Sequence, residues 1–243
     1  MKKFFLLVIC IGAIISCAAS CKSDREEGKK HAVQDKGNRQ DEDSDKNAGF
    51  VTPDLMLFGV KGHVKSVETN DGKEKVRITF DGKGLLASYP CTEGSRDFIF
   101  KDGKAVGKYF SSKRNANGQL VRFAYEPYED MDEHWYTDIY ELTYNASGRV
   151  VTTVQTGWES SSTTKHEYDG KELCTREVCE GMAESLGYKV ITTYTYTKFD
   201  DRGNWTERKC KVHSVEWEGE EETAEKNTSD ATSVEKRVIT YYR

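Results

Sequence analysis

Tyr140-Glu141-Leu142-Thr143-Tyr144-Asn145-Ala146-Ser147-Gly148-Arg149-Val150-Val151 is the stretch from which the fold can be read. Tyr140, Leu142 and Tyr144 alternate with Glu141 and Thr143, the period of two that puts one face of a strand inward. Asn145 then opens a corner that closes on Gly148, and Val150-Val151 resumes the apolar pattern. Asn or Asp at the first corner caps a type I turn, and glycine takes the left-handed position that joins turn to returning strand. The stretch is an instruction for a hairpin.

The same phrase stands at Val76, Ile78 and Phe80, followed by Asp81-Gly82-Lys83-Gly84 and Leu85-Leu86. It returns at Phe199, Asp200-Asp201-Arg202-Gly203 and Trp205, with looser copies at Phe100-Lys101-Asp102-Gly103, Asn115-Ala116-Asn117-Gly118 and Tyr168-Asp169-Gly170. Turns of one kind at such intervals make a repeat whose unit is the hairpin. Strands joined this way are spatial neighbours. The expected fold class is therefore all-β: an antiparallel meander of about a dozen strands, open or curled. From Tyr188 to Phe199 both faces carry Thr and Tyr, which does not suit a simple one-sided sandwich layer. Glu177 to Leu186 is the best helical candidate. Glu216 to Glu235, with eight acidic residues and one lysine, is predicted as a loop before a final strand from Lys236 to Arg243.

Outside the repeat the chain changes character. Lys2 and Lys3 precede an apolar run from Phe4 to Ile15, too short for a bilayer span of about 20 residues. The run predicts a secretory signal over 1–20. Ala18-Ala19-Ser20-Cys21 has the form of a lipobox, and Cys21 is the expected lipidation site, with Ile14-Ile15-Ser16-Cys17 making Cys17 the alternative. The implied localisation is the cell envelope, at the outer membrane, with the membrane as partner through a lipid anchor. Residues 21–49 carry seven Lys/Arg and eight Asp/Glu after the cysteine and no aromatic, a composition that cannot offset its ordering entropy. This segment is expected to be a disordered charged tether, leaving 50–243 as the β-repeat domain.

The 243 residues carry a net charge of −5, which speaks against a nucleic-acid partner. Beyond the anchor, Cys91, Cys174, Cys179 and Cys210 permit two disulfides or free thiols, and a local Cys174–Cys179 bridge is conceivable.

The Tyr/Phe-Asp-x-x-Gly hairpins resemble the YD repeats of RHS-type proteins and related repeats in Bacteroidetes lipoproteins of unknown function. In the latter, Phe58-Gly59-Val60-Lys61-Gly62-His63-Val64-Lys65-Ser66-Val67 is similar to the start, and Phe199-Asp200-Asp201-Arg202-Gly203-Asn204-Trp205-Thr206 with Ile239-Thr240-Tyr241-Tyr242 to the end. The resemblance covers about residues 55–243 and implies architecture only. It carries no functional residues.

No catalytic motif emerges. His63, His134, His166 and His213 each stand alone in local sequence, and HExxH, GxSxG, P-loop and GxGxxG patterns are absent. The acidic run Glu126 to His134 lacks the glycine-turned loop of a calcium site, so no metal and no cofactor is expected. The aromatics offer the better surface: Trp135, Trp158 and Trp217 lie beside turns, where they could stack on sugar rings or anchor a protein partner. Packing across strands is the competing use, and Trp205 fits it best because it belongs to the turn phrase. The expected function is non-catalytic: a protein-interaction or scaffold module of the envelope, with surface glycan binding as the alternative.

Overall fold

The computed structural model describes residues 49–72, 75–90, 97–127, 137–219 and 225–243. The predicted signal, Cys17, Cys21, nearly all of the tether, Cys91 and Trp135 lie outside the described residues. One short helix, α1 (Pro53–Leu57), precedes the strands β1 (Val64–Asn70), β2 (Lys75–Phe80), β3 (Leu86–Tyr89), β4 (Phe98–Lys101) and β5 (Lys104–Val106). These are followed by β6 (Phe110–Arg114), β7 (Leu120–Tyr125), β8 (Asp138–Tyr144), β9 (Val150–Gly157) and β10 (Ser160–Tyr168). The last four are β11 (Cys174–Ala183), β12 (Leu186–Phe199), β13 (Trp205–Glu218) and β14 (Lys226–Tyr241).

All fourteen form one antiparallel sheet in the order β5-β4-β3-β2-β1-β14-β13-β12-β11-β10-β9-β8-β7-β6. The order is the chain order closed into a ring, because β14 pairs with β1, as at Val67 with Ile239. The break in the ring falls between β5 and β6. There Ala105 N donates to Ser112 Oγ at 2.8 Å and Arg114 Nε to the Gly103 carbonyl at 2.8 Å. The expected meander is thus a nearly closed barrel. Two expectations are corrected. Glu177 to Leu186 is not helical but forms most of β11 and enters β12, held by ladder bonds on both sides. Most of the acidic stretch 216–235 is strand, with β14 beginning at Lys226, since the backbone ladder offered by β13 holds it from Lys226 to Lys236 whatever the side chains.

The outer wall is charged at mid-strand: Arg77, Glu141, Lys165, Glu180, Lys209 and Lys211 are all exposed. A lipid-facing barrel needs an apolar band about 25 Å tall at that level, and these side chains would have to sit in it. The wall is built for water. Among the described residues no helix is long and apolar enough to cross a membrane.

The interior divides into two halves. Among the short strands it is apolar and aromatic, with Phe80, Phe98, Phe123 and Tyr140 fully buried. Tyr89 on β3 meets Tyr140 on β8 edge-on at 6.0 Å between centroids, and Phe98 on β4 meets Phe123 on β7 at 5.1 Å. Opposite walls therefore touch, and each such pair adds about 0.5–1.5 kcal/mol to the area it buries. Along the longer β9–β14 about half of the buried positions are polar, including Thr153, Ser162, Thr164, Glu177, Arg208 and Glu235.

All six repeated turns connect an even-numbered strand to the next odd one, so all lie on one rim. In four of them the glycine takes a left-handed φ, from +73° at Gly84 to +81° at Gly148, and its N–H closes the type I turn. In the fifth, Gly170 is not the left-handed residue; Glu172 takes that place at φ 63°. The sixth, at Asp102-Gly103, is a two-residue turn with both φ positive.

This rim is a socket. Residues 50–63 enter it as a plug, with Thr52 capping α1 through Leu55 N at 3.2 Å and donating to the Gly84 carbonyl at 2.6 Å. Asp54, fully buried, accepts from Leu86 N at 2.6 Å and from both terminal nitrogens of Arg114 at 2.6 and 2.8 Å. Across the rim Asn204 holds Lys61 by a reciprocal pair of backbone bonds at 2.8 and 2.9 Å. At Gly84 a Cβ would lie 2.8 Å from Phe50 and 2.9 Å from Thr52. The corner glycine is therefore needed for contact with the plug as well as for φ.

Candidate functional site

Between the plug and the polar half lies a cavity of ≈ 310 Å³. Its apolar side is formed by Leu57, Val60, Val150 and Leu173, and its polar side by His166, Glu177, Arg208 and Arg237. The polar side chains come from β10, β11, β13 and β14, brought into line by the register that sets His166 opposite Glu177 and Arg208 opposite Glu235.

Glu177 is the centre of one network. It accepts from Tyr194 OH, from the Cys174 thiol at 3.5 Å, and from His166 Nδ1 at 3.2 Å, while His166 Nε2 sits 3.0 Å from Thr153 Oγ1. With a proton on Nδ1 the ring donates to Glu177. Burial pushes the Glu177 carboxyl up, but hydrogen bonding and charge from His166, with Arg208 and Tyr194, outweigh it and hold the group below the ordinary carboxylate range. Its folded pKa thus lies below the unfolded one. The stability it contributes is full above the unfolded pKa of about 4.3 and drains away as pH falls through the lower folded value. Unfolding midpoints in urea measured from pH 7 to pH 3 should fall less steeply below about pH 4 in Glu177→Gln than in the parent chain. Parallel curves would show that Glu177 carries no such linkage.

Arg208 and Arg237 form the second network. Arg208 Nε donates to Glu235 Oε2 at 2.6 Å, and both groups are almost fully buried. The Arg208 guanidinium lies 3.6 Å from the Tyr194 ring centroid and 4.5 Å from that of Trp205. Arg237 stacks on the same indole at 3.6 Å. Trp205, as expected, packs inside, and its role is to orient two cations.

His166, Cys174 and Glu177 also bring their ligating atoms within 4.8 Å of one another. A thiol, an imidazole and a carboxylate make a donor set that suits zinc, though each is already engaged with another of the three. The local Cys174–Cys179 bridge is corrected: among the described residues, Cys174, Cys179 and Cys210 form no disulfide. Five positions apart on β11, Cys174 lines the cavity and Cys179 joins a small core with Tyr188 and Val190. Burial pushes Cys210 up to about 12 and Cys174 higher still.

Of the predicted surface aromatics, the two within the described residues, Trp158 and Trp217, do not line this cavity. Trp158, 42% exposed, is on the β9–β10 turn, and Trp217 covers Gly187 from β13, both at the rim opposite the cavity. His63 stacks on Phe50 at 3.9 Å, and His213 bonds Asp230 on the barrel's long side. Among the described residues, His166 alone of the predicted lone histidines joins the interior network, and His134 lies outside the described residues. The residues missed in the sequence are Glu177, Arg208, Glu235 and Arg237. Their signal was charge at positions that the period of two assigns inward, visible only once the strand register is known.

The fold and the site define an all-β antiparallel barrel with a terminal plug and a polar internal cavity. No family model matches the chain, and no curated protein matches it. Among solved structures, a porin-like protein from Bacteroides uniformis ATCC 8492 is similar over 73% of this chain and 96% of its own, at 13% identity and a TM-score of 0.38.

Proposed function

We propose that this chain is a non-catalytic binding module of the bacterial envelope, tethered by lipid at Cys21, that takes a small ligand into the cavity beneath its plug. The observation that supports the reading is the cavity itself. It combines a volume at the lower end of ordinary ligand pockets with an apolar side and a few fixed polar groups, the usual composition of such sites. The charged outer wall suits a water-exposed barrel held near the membrane by its tether. A scaffold role would use the same rigid wall to dock an envelope protein.

The test is a thermal-shift titration of the full chain, in detergent, against neutral sugars, sugar acids, phosphate compounds and zinc. At least one class is expected to raise the melting temperature saturably, and Leu173→Trp, which fills the cavity, to erase the shift. A shift that survives the filled cavity, or none with any class, would overturn the reading. Trp158 favours a second reading, surface glycan binding, because it is large, apolar and exposed. In that case sugar-dependent quenching would vanish in Trp158→Ala and persist in Leu173→Trp.

A further inference from the structure

Arginine side chains meet the cavity with N–H groups that nothing accepts. Arg208 Nη2, Arg237 Nε and Nη1, and Arg149 Nε are buried and lack a hydrogen-bond partner among the described residues. Arg208 is 3% exposed and Arg237 5%, and both line the cavity. Stacking on Trp205 satisfies the flat faces of these guanidinium groups but leaves Arg208 Nη2 and Arg237 Nε and Nη1 without acceptors among the described residues. A buried donor left unpaired costs free energy, more so when it is charged.

The nearby carboxylates are already used. Glu235 accepts from Arg208, and Glu177 from Tyr194, His166 and Cys174. The cavity lining holds five cationic side chains, Lys61, Arg149, Lys171, Arg208 and Arg237, against two carboxylates, Glu172 and Glu177. With Glu235, which pairs with Arg208, counted as a third carboxylate, a local excess of two positive charges remains in a chain whose net charge is −5. Burial first, and then the neighbouring Arg208, hold Arg237 well below the ordinary arginine range.

We propose that the cavity binds a small anionic molecule whose carboxylate or phosphate oxygens sit between Arg208 and Arg237, with its less polar body against Leu57, Val60 and Leu173. This assignment rests on the cavity being the ligand site and names the ligand's chemistry. Guanidinium edges match such oxygens in a planar fork, which an ammonium group cannot reproduce. The stacked Trp205 fixes the fork before the ligand arrives, which lowers the entropy lost on binding.

The test uses the full chain in detergent, with sodium phosphate and sodium acetate as probes. Glucose is the neutral control, and sodium chloride matches the ionic strength. Phosphate or acetate should raise the melting temperature saturably and change the tryptophan fluorescence, while chloride and glucose should not. Arg237→Lys should weaken the anion at least about tenfold, the loss expected for a hydrogen bond to a charged group. Arg237→Met should abolish the anion effect and yet raise the melting temperature of the ligand-free chain, because it removes a buried cation without a counter-charge. A merely structural arginine would do the reverse. The proposal is overturned if neither anion binds saturably, or if Arg237→Met lowers the ligand-free melting temperature and leaves anion binding intact. If a neutral sugar stabilises the chain through the cavity and the anions do not, the cavity remains the ligand site and the anionic assignment alone fails.

Discussion

Asp54→Ala is expected to lower the unfolding free energy by about 3–5 kcal/mol, the cost of breaking a buried ion pair from one side. Asp54 is fully buried and is the shared acceptor of Arg114 and of the Leu86 backbone N–H. Its removal takes the counter-charge from a part-buried guanidinium, leaving Arg114 only its carbonyl partners Gly103 and Gly118, and opens the joint between the plug, the first repeated turn and β6. Because Arg114 also donates to Gly103 across the β5–β6 break, the damage reaches the closure of the barrel. Asp54→Asn keeps an acceptor for Leu86 and should cost less. Urea denaturation of both variants, read by far-ultraviolet circular dichroism, checks the order. A loss under about 1 kcal/mol in Asp54→Ala would match an exposed pair and show that the plug is not held this way.

The second large effect lies at Glu235. Glu235→Ala removes the partner of Arg208 and leaves two buried guanidinium groups stacked on one indole with no fixed negative charge opposite. The expected cost is again about 3–5 kcal/mol. Replacing both partners, as Glu235→Leu with Arg208→Met, should return stability to near or above that of the parent chain, since neither charge then needs burying. The sign reversal between single and double variant is the diagnostic. If the double variant is as unstable as the single one, the pair is not the source of the loss. Added phosphate should restore part of the stability of Glu235→Ala, because the anion would occupy the place the carboxylate vacated.

The fold was legible for local reasons. Alternation along Tyr140, Leu142 and Tyr144 and the Asn145–Gly148 corner are contained within a dozen residues, and turn chemistry there is decided by neighbours in sequence. Glu172 shows the limit: the left-handed position fell two residues beyond Gly170, where Asp169 Oδ1 accepts from both Lys171 N and Leu173 N. Strands beyond the phrase were harder. The Thr, Ser and Asp of β14 read as a loop, yet β13 supplies a full ladder partner from Lys226 to Lys236.

What the sequence by itself determined was the hairpin, its repetition and the direction in which alternate side chains point, because these follow from backbone sterics over a few residues. Only the tertiary structure decided that the meander closes on itself, that residues 50–63 plug one rim, and that charged groups meet around a cavity. His166 and Glu177 are 11 residues apart, Arg208 and Glu235 27, and Asp54 and Arg114 60. Which of them face each other depends on strand register and ring closure, properties of the whole barrel that no single stretch of chain encodes.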